Sequence, residues 1–78
     1  MIDGQARLAA AEQRVKECEQ AVLDQERRIA EQLRQRVRDA NAAALLRLLR
    51  HALQLSQENR DVVGLTLAVE RAFEMQRH

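Results

Sequence analysis

The carboxylates of the N-terminal third are the first side chains in this sequence that could carry out acid–base chemistry. The candidate pairs are Glu17 with Glu19, two positions apart, and Glu12 with Glu17, five positions apart, in a stretch of strong helix formers. Residues with these separations point in different directions on a helix, because neighbours on one face are three or four residues apart. A general acid and a general base must reach the same reacting group. The sequence therefore predicts solvated carboxylates, no catalytic residue and a protein that is not an enzyme.

Metal and thiol chemistry is limited by the number of suitable side chains. The chain has two histidines, His51 and His78, and one cysteine, Cys18, and none has the spacing of a zinc site. We expect no metal and no cofactor. Cys18 occupies an apolar position and is interpreted as a small core side chain, with a disulfide between copies or a thiol switch as the alternative. A lone cysteine favours a reducing, cytoplasmic setting.

Arginines concentrate in the middle of the chain. Residues 27–50 hold seven Arg against two acidic residues, a net charge of +5, while the remainder holds six basic and ten acidic residues, a net of −4. A chain reversal near residue 38 would gather five candidate anion-binding residues at one end: Arg27, Arg28, Arg34, Arg36 and Arg38. Such a cluster could contact the phosphates of a nucleic acid or an anionic surface.

Two features weigh against nucleic-acid binding. The chain has one Phe and no Trp or Tyr, so it lacks aromatic side chains on which bases could stack. Asp24 with Arg28, and Arg27 with Glu31, also have the spacing of ion pairs within a helix. The sequence favours a solvated, Arg-rich end and makes nucleic acid an unlikely partner.

The elements that position these side chains are predicted to be helices. The 78 residues include no Pro and two Gly, and Ala, Leu, Glu, Gln and Arg dominate, so we expect one all-α domain over residues 1–78. In a first helix, over about residues 5–35, apolar residues recur every three or four positions and form a narrow seam for one neighbouring helix. The seam residues are Leu8, Val15, Cys18, Val22, Ile29 and Leu33, with Ala11 and Gln25 in phase.

A second helix, over about residues 42–75, has an apolar face that spreads over about 180°. Its predicted interface residues are Leu45, Leu46, Leu48, Leu49, Ala52, Leu53, Leu55, Val62, Val69 and Phe73. Asn59 lies on the apolar face, where a polar residue either sets register or caps a helix break. Gly64 allows a bend between residues 59 and 65.

Residues 36–41 separate the two helices and are predicted to form the turn of an antiparallel hairpin. The apolar phase is lost there, and Asp39 and Asn41 both offer N-cap side chains for a helix beginning near Ala42. Arms of similar length fit a hairpin. Because no Gly or Pro marks the turn, one continuous helix in a long coiled coil is the alternative.

The wide leucine face predicts an association partner. Burial of one Leu side chain gains about 1.5–3 kcal/mol, so leaving several in water would forfeit much of the stability of a small domain. A homodimer that completes a four-helix bundle is the leading hypothesis. The alternative is a small co-chaperone or adaptor that binds a partner helix. The longest uncharged run near the C-terminus, "VVGLTLAV", is far too short to span a bilayer, so we expect no membrane partner.

Residues 14–63 resemble a family of short bacterial helical proteins to which no function is attached. The matching residues are Glu17, Glu19, Val22, Gln25, Ile29, Ala30, Glu31, Leu45, Leu46, Leu53, Leu55, Arg60 and Asp61. The family pattern carries Gly near the position of Arg36, and residues 64–78 have no counterpart in it. The resemblance implies a helical hairpin and no activity.

Overall fold

Two long helices pack side by side in opposite directions in the computed structural model, which describes residues 3–76. Helix α1 spans Gly4–Arg34 and helix α2 spans Ala40–Gln76. The antiparallel direction is seen in two ion pairs between the helices, Arg7 with Glu70 at 3.5 Å and Glu26 with Arg50 at 3.9 Å. The predicted all-α helical hairpin is confirmed, and the continuous helix is excluded. The hairpin is a rod of 66 × 18 × 15 Å.

The turn between the helices is closed by backbone hydrogen bonds at the end of α1. The N–H of Arg36 donates to the carbonyl of Leu33 at 3.1 Å, and the N–H of Val37 donates to that of Gln32 at 2.8 Å. These two bonds form a Schellman motif, which normally places Gly in the left-handed conformation. Here Arg36 takes that position, with φ of 60°. The chain thus reverses without a Gly at this position.

The start of α2 is set by Asp39. Its Oδ1 accepts a hydrogen bond from the backbone N–H of Asn41 at 2.9 Å, and its carbonyl accepts one from Ala42 at 3.1 Å. This is the geometry of an N-cap, which satisfies a backbone donor that the first turn leaves free. Of the two candidate caps, Asp39 takes the role, and α2 therefore begins at Ala40, two residues earlier than expected.

α2 continues without interruption through residues 59–65, where the sequence allowed a bend. A Cβ added to Gly64 would lie 3.8 Å from Leu8 Cδ1, and one added to Gly4 would lie 2.5 Å from Leu67 Cδ1. Both glycines thus face leucines of the opposite helix at the end of the rod away from the turn. We call this end of the rod the open end. The opposite end, which consists of the turn at residues 35–39 and the adjoining helix termini, is called the tip.

Small side chains form the core between the helices. Ala11, Val15 and Val22 of α1 and Ala42 of α2 are its buried apolar residues. Two polar residues are buried with them. Gln25 Nε2 donates to the carbonyl of Ala42 at 3.0 Å, and Ser56 Oγ donates to that of Leu53 at 2.7 Å. Gln25 therefore ties α1 to the first turn of α2.

The residues of the predicted α1 seam are buried or half-buried, except the last one. Leu8, Cys18 and Ile29 are half-buried, in phase with the buried Val15 and Val22. Leu33 is 66% exposed, so its assignment to the seam is wrong. The three-and-four spacing that passes through Ile29 reaches Gln32, which is half-buried, and Leu33 lies a further 100° around the helix.

Candidate protein-interaction surface

α2 carries two parallel stripes of apolar residues, and only one of them faces α1. The inner stripe repeats every three or four positions, and all its members are buried or half-buried. It consists of Ala42, Leu46, Leu49, Leu53, Ser56, Arg60, Val63 and Leu67. The structure therefore corrects the assignment of Leu46, Leu49 and Leu53 to an interface with a partner, because they share the phase of the buried Ala42 and Ser56 and pack in the hairpin.

The outer stripe also repeats every three or four positions but remains exposed. It consists of Leu45, Leu48, Ala52, Leu55, Asn59, Val62, Thr66, Val69 and Phe73. Its six large apolar side chains are 42–66% exposed. An alternation of three and four over nine positions is the pattern of a coiled-coil seam, in which each side chain inserts between residues of a facing helix. The outer stripe thus has the spacing of a coiled-coil seam along α2, and within the described residues it is not covered by α1.

One edge of the outer stripe is bordered by α1. Arg14 and Cys18 lie beside Leu55 and Asn59 in an open groove between the helices. Arg28 borders a second groove that reaches Leu45, nearer the tip. The border that α1 presents to the outer stripe is therefore rich in arginine, and the apolar part of this surface belongs to α2.

The cysteine is free and half-buried, and it sits where the seam meets this groove. Its position in phase with Val15 and Val22 fits the predicted role as a small core side chain. Its side chain lines this groove together with Ala52 and Ser56 of α2.

The residues considered for catalysis and metal binding are dispersed. Glu12, Glu17 and Glu19 are all exposed on α1. Within residues 3–76, no group of three or more His, Cys, Asp or Glu side chains comes together as a metal site. His51 is exposed on α2, and His78 lies outside the described residues.

Neither helix of the described part is long and apolar enough to cross a membrane.

The arginine cluster is looser than the sequence suggested. Arg34, Arg36 and Arg38 lie at the tip, whereas Arg27 and Arg28 lie about 10 Å further along α1, at 1.5 Å per residue. Arg34 contacts Glu31 through Nη2 and Nε, at 2.5 and 3.1 Å. Arg27 lies 4.0 Å from Asp24 rather than pairing with Glu31.

Three arginines of the cluster are exposed and unpaired. No carboxylate of the described chain lies within 4.0 Å of Arg28, Arg36 or Arg38. The positive charge of these arginines is therefore not neutralised by ion pairs within the described part of the hairpin.

Val63 and Leu67 belong to the inner stripe of α2 but were not among the residues predicted to pack. They continue the three-and-four spacing that starts at Ala42 and passes through Leu46 and Leu53. The spacing of the inner stripe can be read from the sequence. The outer stripe has the same period and more apolar residues near the C-terminus, so the prediction followed the outer stripe there.

No family model matches the chain, and neither the curated proteins nor the solved structures contain a significant match to it. The resemblance to short bacterial hairpin proteins therefore stays a prediction.

Proposed function

We propose that this chain is a non-enzymatic protein–protein interaction module that forms a homodimer through the outer stripe of α2. The observation that carries the proposal is the exposure of a nine-position helix-pairing stripe along most of α2. Each of its large side chains would gain on the order of 1 kcal/mol from removal of its remaining exposed surface. A surface of this length and regularity is typical of a seam that pairs with another helix.

The surface area of the single chain supports the same proposal. A compact monomer of 9.0 kDa exposes about 4,850 Å², on the usual scaling with mass. This chain exposes 6,567 Å². The excess of roughly 1,700 Å² leaves ample room for a standard interface, which buries about 800 Å² on each partner.

The regular period of the stripe supports a second copy as its occupant. A two-fold interface requires the same patch on both subunits, and a stripe of coiled-coil period can pair with its own copy. The border that α1 adds to this surface carries Arg14 and Arg28, so the two α2 helices would form the central contact. Each α1 would then remain on its own α2, giving four helices in one assembly. The half-buried free Cys18 fits a reducing, cytoplasmic location, which is part of the proposal.

Light scattering and thermal unfolding across a range of protein concentrations test the proposal. We expect twice the chain mass at micromolar concentrations and a melting temperature that rises with concentration, because dimerisation stabilises the folded state by mass action. A stable monomer at high concentration, with a melting temperature independent of concentration, would refute it. A poorly folded monomer would favour instead an adaptor whose outer stripe binds a helix of another protein.

A further inference from the structure

We propose that the two copies pair in antiparallel orientation, so that the tip of each hairpin lies beside the open end of its partner. This inference rests on the proposed function, because it concerns the orientation of the same dimer. Its basis is the separation of charge along the rod. The basic residues 27–50 fold into about the third of the rod nearest the tip, bounded by the Glu26–Arg50 ion pair, and the remainder forms the rest of the rod.

The charge of the tip end opposes a parallel pair. Residues 27–50 carry +5, from seven Arg, Glu31 and Asp39. The rest of the chain carries −4. Parallel pairing would set the two strongly basic ends side by side, whereas antiparallel pairing sets each basic end along the open end of its partner, where acidic and basic side chains are mixed. Separation of like charges of this kind selects orientation more than it adds affinity.

Individual side chains near the outer stripe sharpen the charge argument. Arg28 borders the stripe at Leu45, and Arg47 is exposed on α2 between Leu45 and Leu48. Neither lies within 4.0 Å of a carboxylate of the described chain. In a parallel dimer, each of these arginines would lie level with its own copy.

An antiparallel dimer changes what lies at that level. With the outer stripes overlapped along their length, the part of the partner's α2 level with residue 47 is roughly its last two turns, at 1.5 Å per residue. These turns carry Glu70, which pairs with Arg7 of its own hairpin, together with Arg71 and the exposed Glu74. The arginines that the hairpin does not neutralise would thus lie away from their own copies, beside a mixture of acidic and basic residues.

Asn59 marks the expected position of the two-fold axis. It is the fifth of the nine outer-stripe positions, midway between Leu45 and Phe73. Full overlap of two antiparallel stripes therefore places the axis beside Asn59, with the two side-chain amides in neighbouring layers. An amide both donates and accepts, so each Asn59 could bond to the other, and slippage of the register would break that pairing.

Distances between spin labels on the two copies test the orientation. The cysteine is first removed by Cys18→Ala, a small apolar replacement for a seam residue, and circular dichroism checks that the helices persist. A label at Asn41→Cys, near the tip, reports orientation. A label at Asp61→Cys, near the proposed axis, reports association in either orientation.

We expect a distance of about 50 Å between labels at position 41, because each lies about 27 Å along α2 from the axis at 1.5 Å per residue. The labels at position 61 should lie within about 30 Å of each other, since helices in contact are 8–10 Å apart. A short distance at both positions would overturn the antiparallel orientation and leave the dimer intact. Absence of coupling at both positions, with a monomer mass, would overturn the dimer itself.

Salt provides a second, independent readout. Repulsion between like charges is screened as ionic strength rises, since the Debye length falls from about 30 Å at 0.01 M to about 8 Å at 0.15 M salt. The antiparallel dimer keeps the two basic ends apart, so its Kd should change little over this range of NaCl. A Kd that falls severalfold over the same range would indicate that the basic ends face each other and would contradict the proposal.

Discussion

Replacement of one outer-stripe leucine, Leu48→Gln, should weaken the dimer far more than it weakens the helix. Leu48 is 66% exposed in the single chain, and Leu and Gln have similar helix propensities. If a second copy covers that exposed surface, the loss is about two thirds of the 1.5–3 kcal/mol that full burial of a leucine gains. Two-fold symmetry repeats the change, so the total is about 2–4 kcal/mol per dimer, or a 30- to 1,000-fold rise in Kd.

Sedimentation equilibrium over a wide range of concentrations measures this change directly. The matched control is Leu23→Gln, which makes the same chemical replacement at a site on α1 that is 49% exposed and outside the outer stripe. We expect Leu23→Gln to leave Kd within a factor of about three of the wild type, since exposed substitutions usually change free energies by under 0.5 kcal/mol. Circular dichroism confirms that both variants keep their helix content.

The reasoning would be refuted if Leu48→Gln and Leu23→Gln had the same effect on Kd. Equal effects would mean that the outer stripe does not contact the second copy. An inner-stripe variant, Leu49→Gln, separates folding from association. It should lower the stability of the hairpin itself, because Leu49 is half-buried in phase with the residues that face α1.

Three further predictions concern single residues. Arg36→Gly should raise the free energy of unfolding in urea by about 0.5–1 kcal/mol, because it removes the strain of the left-handed conformation at φ 60°. The greater flexibility of the unfolded chain offsets part of this gain. Arg36→Ala, which keeps a Cβ, should give no such gain. Asp39→Ala should lower the same free energy by about 1 kcal/mol through loss of the cap on Asn41, and Asp39→Ser should retain most of it; equal losses would argue against the cap. Asn59→Leu should lower Kd at least about tenfold in sedimentation experiments while it admits higher oligomers or mixed registers, since a buried polar residue limits both at a cost in stability; an unchanged Kd would place Asn59 outside the interface.

The hairpin could be predicted from the sequence because its helices carry regular apolar spacing. The helix ends predicted from the sequence lie within two residues of the observed ends. The turn could be located because the apolar spacing is lost near Arg36. The left-handed conformation of Arg36 could not be predicted from its residue type, because arginine has no preference for that region. The backbone bonds of Leu33 and Gln32, which hold Arg36 there, form only once the turn has closed.

The division of the leucine face could not be predicted. Both stripes of α2 have coiled-coil spacing and both contain leucines, so periodicity alone does not indicate which one faces α1. Features at the tip determine which stripe faces α1. The turn length and the hydrogen bond from Gln25 to Ala42 orient α2 so that Leu46 and Leu49 point toward α1. Leu45 and Leu48 consequently point outward.

The small side chains of the core have a consequence for the lifetime of the chain in a cell. Within residues 3–76, no large side chain is completely shielded from solvent, and the buried apolar residues are only alanines and valines. So thin a layer holds the two helices together weakly, and local opening of their amides should be frequent. If the chain dimerises as proposed, the monomer would be the form most susceptible to proteases. The steady-state amount of protein would then fall steeply once synthesis dropped below the level needed for dimerisation.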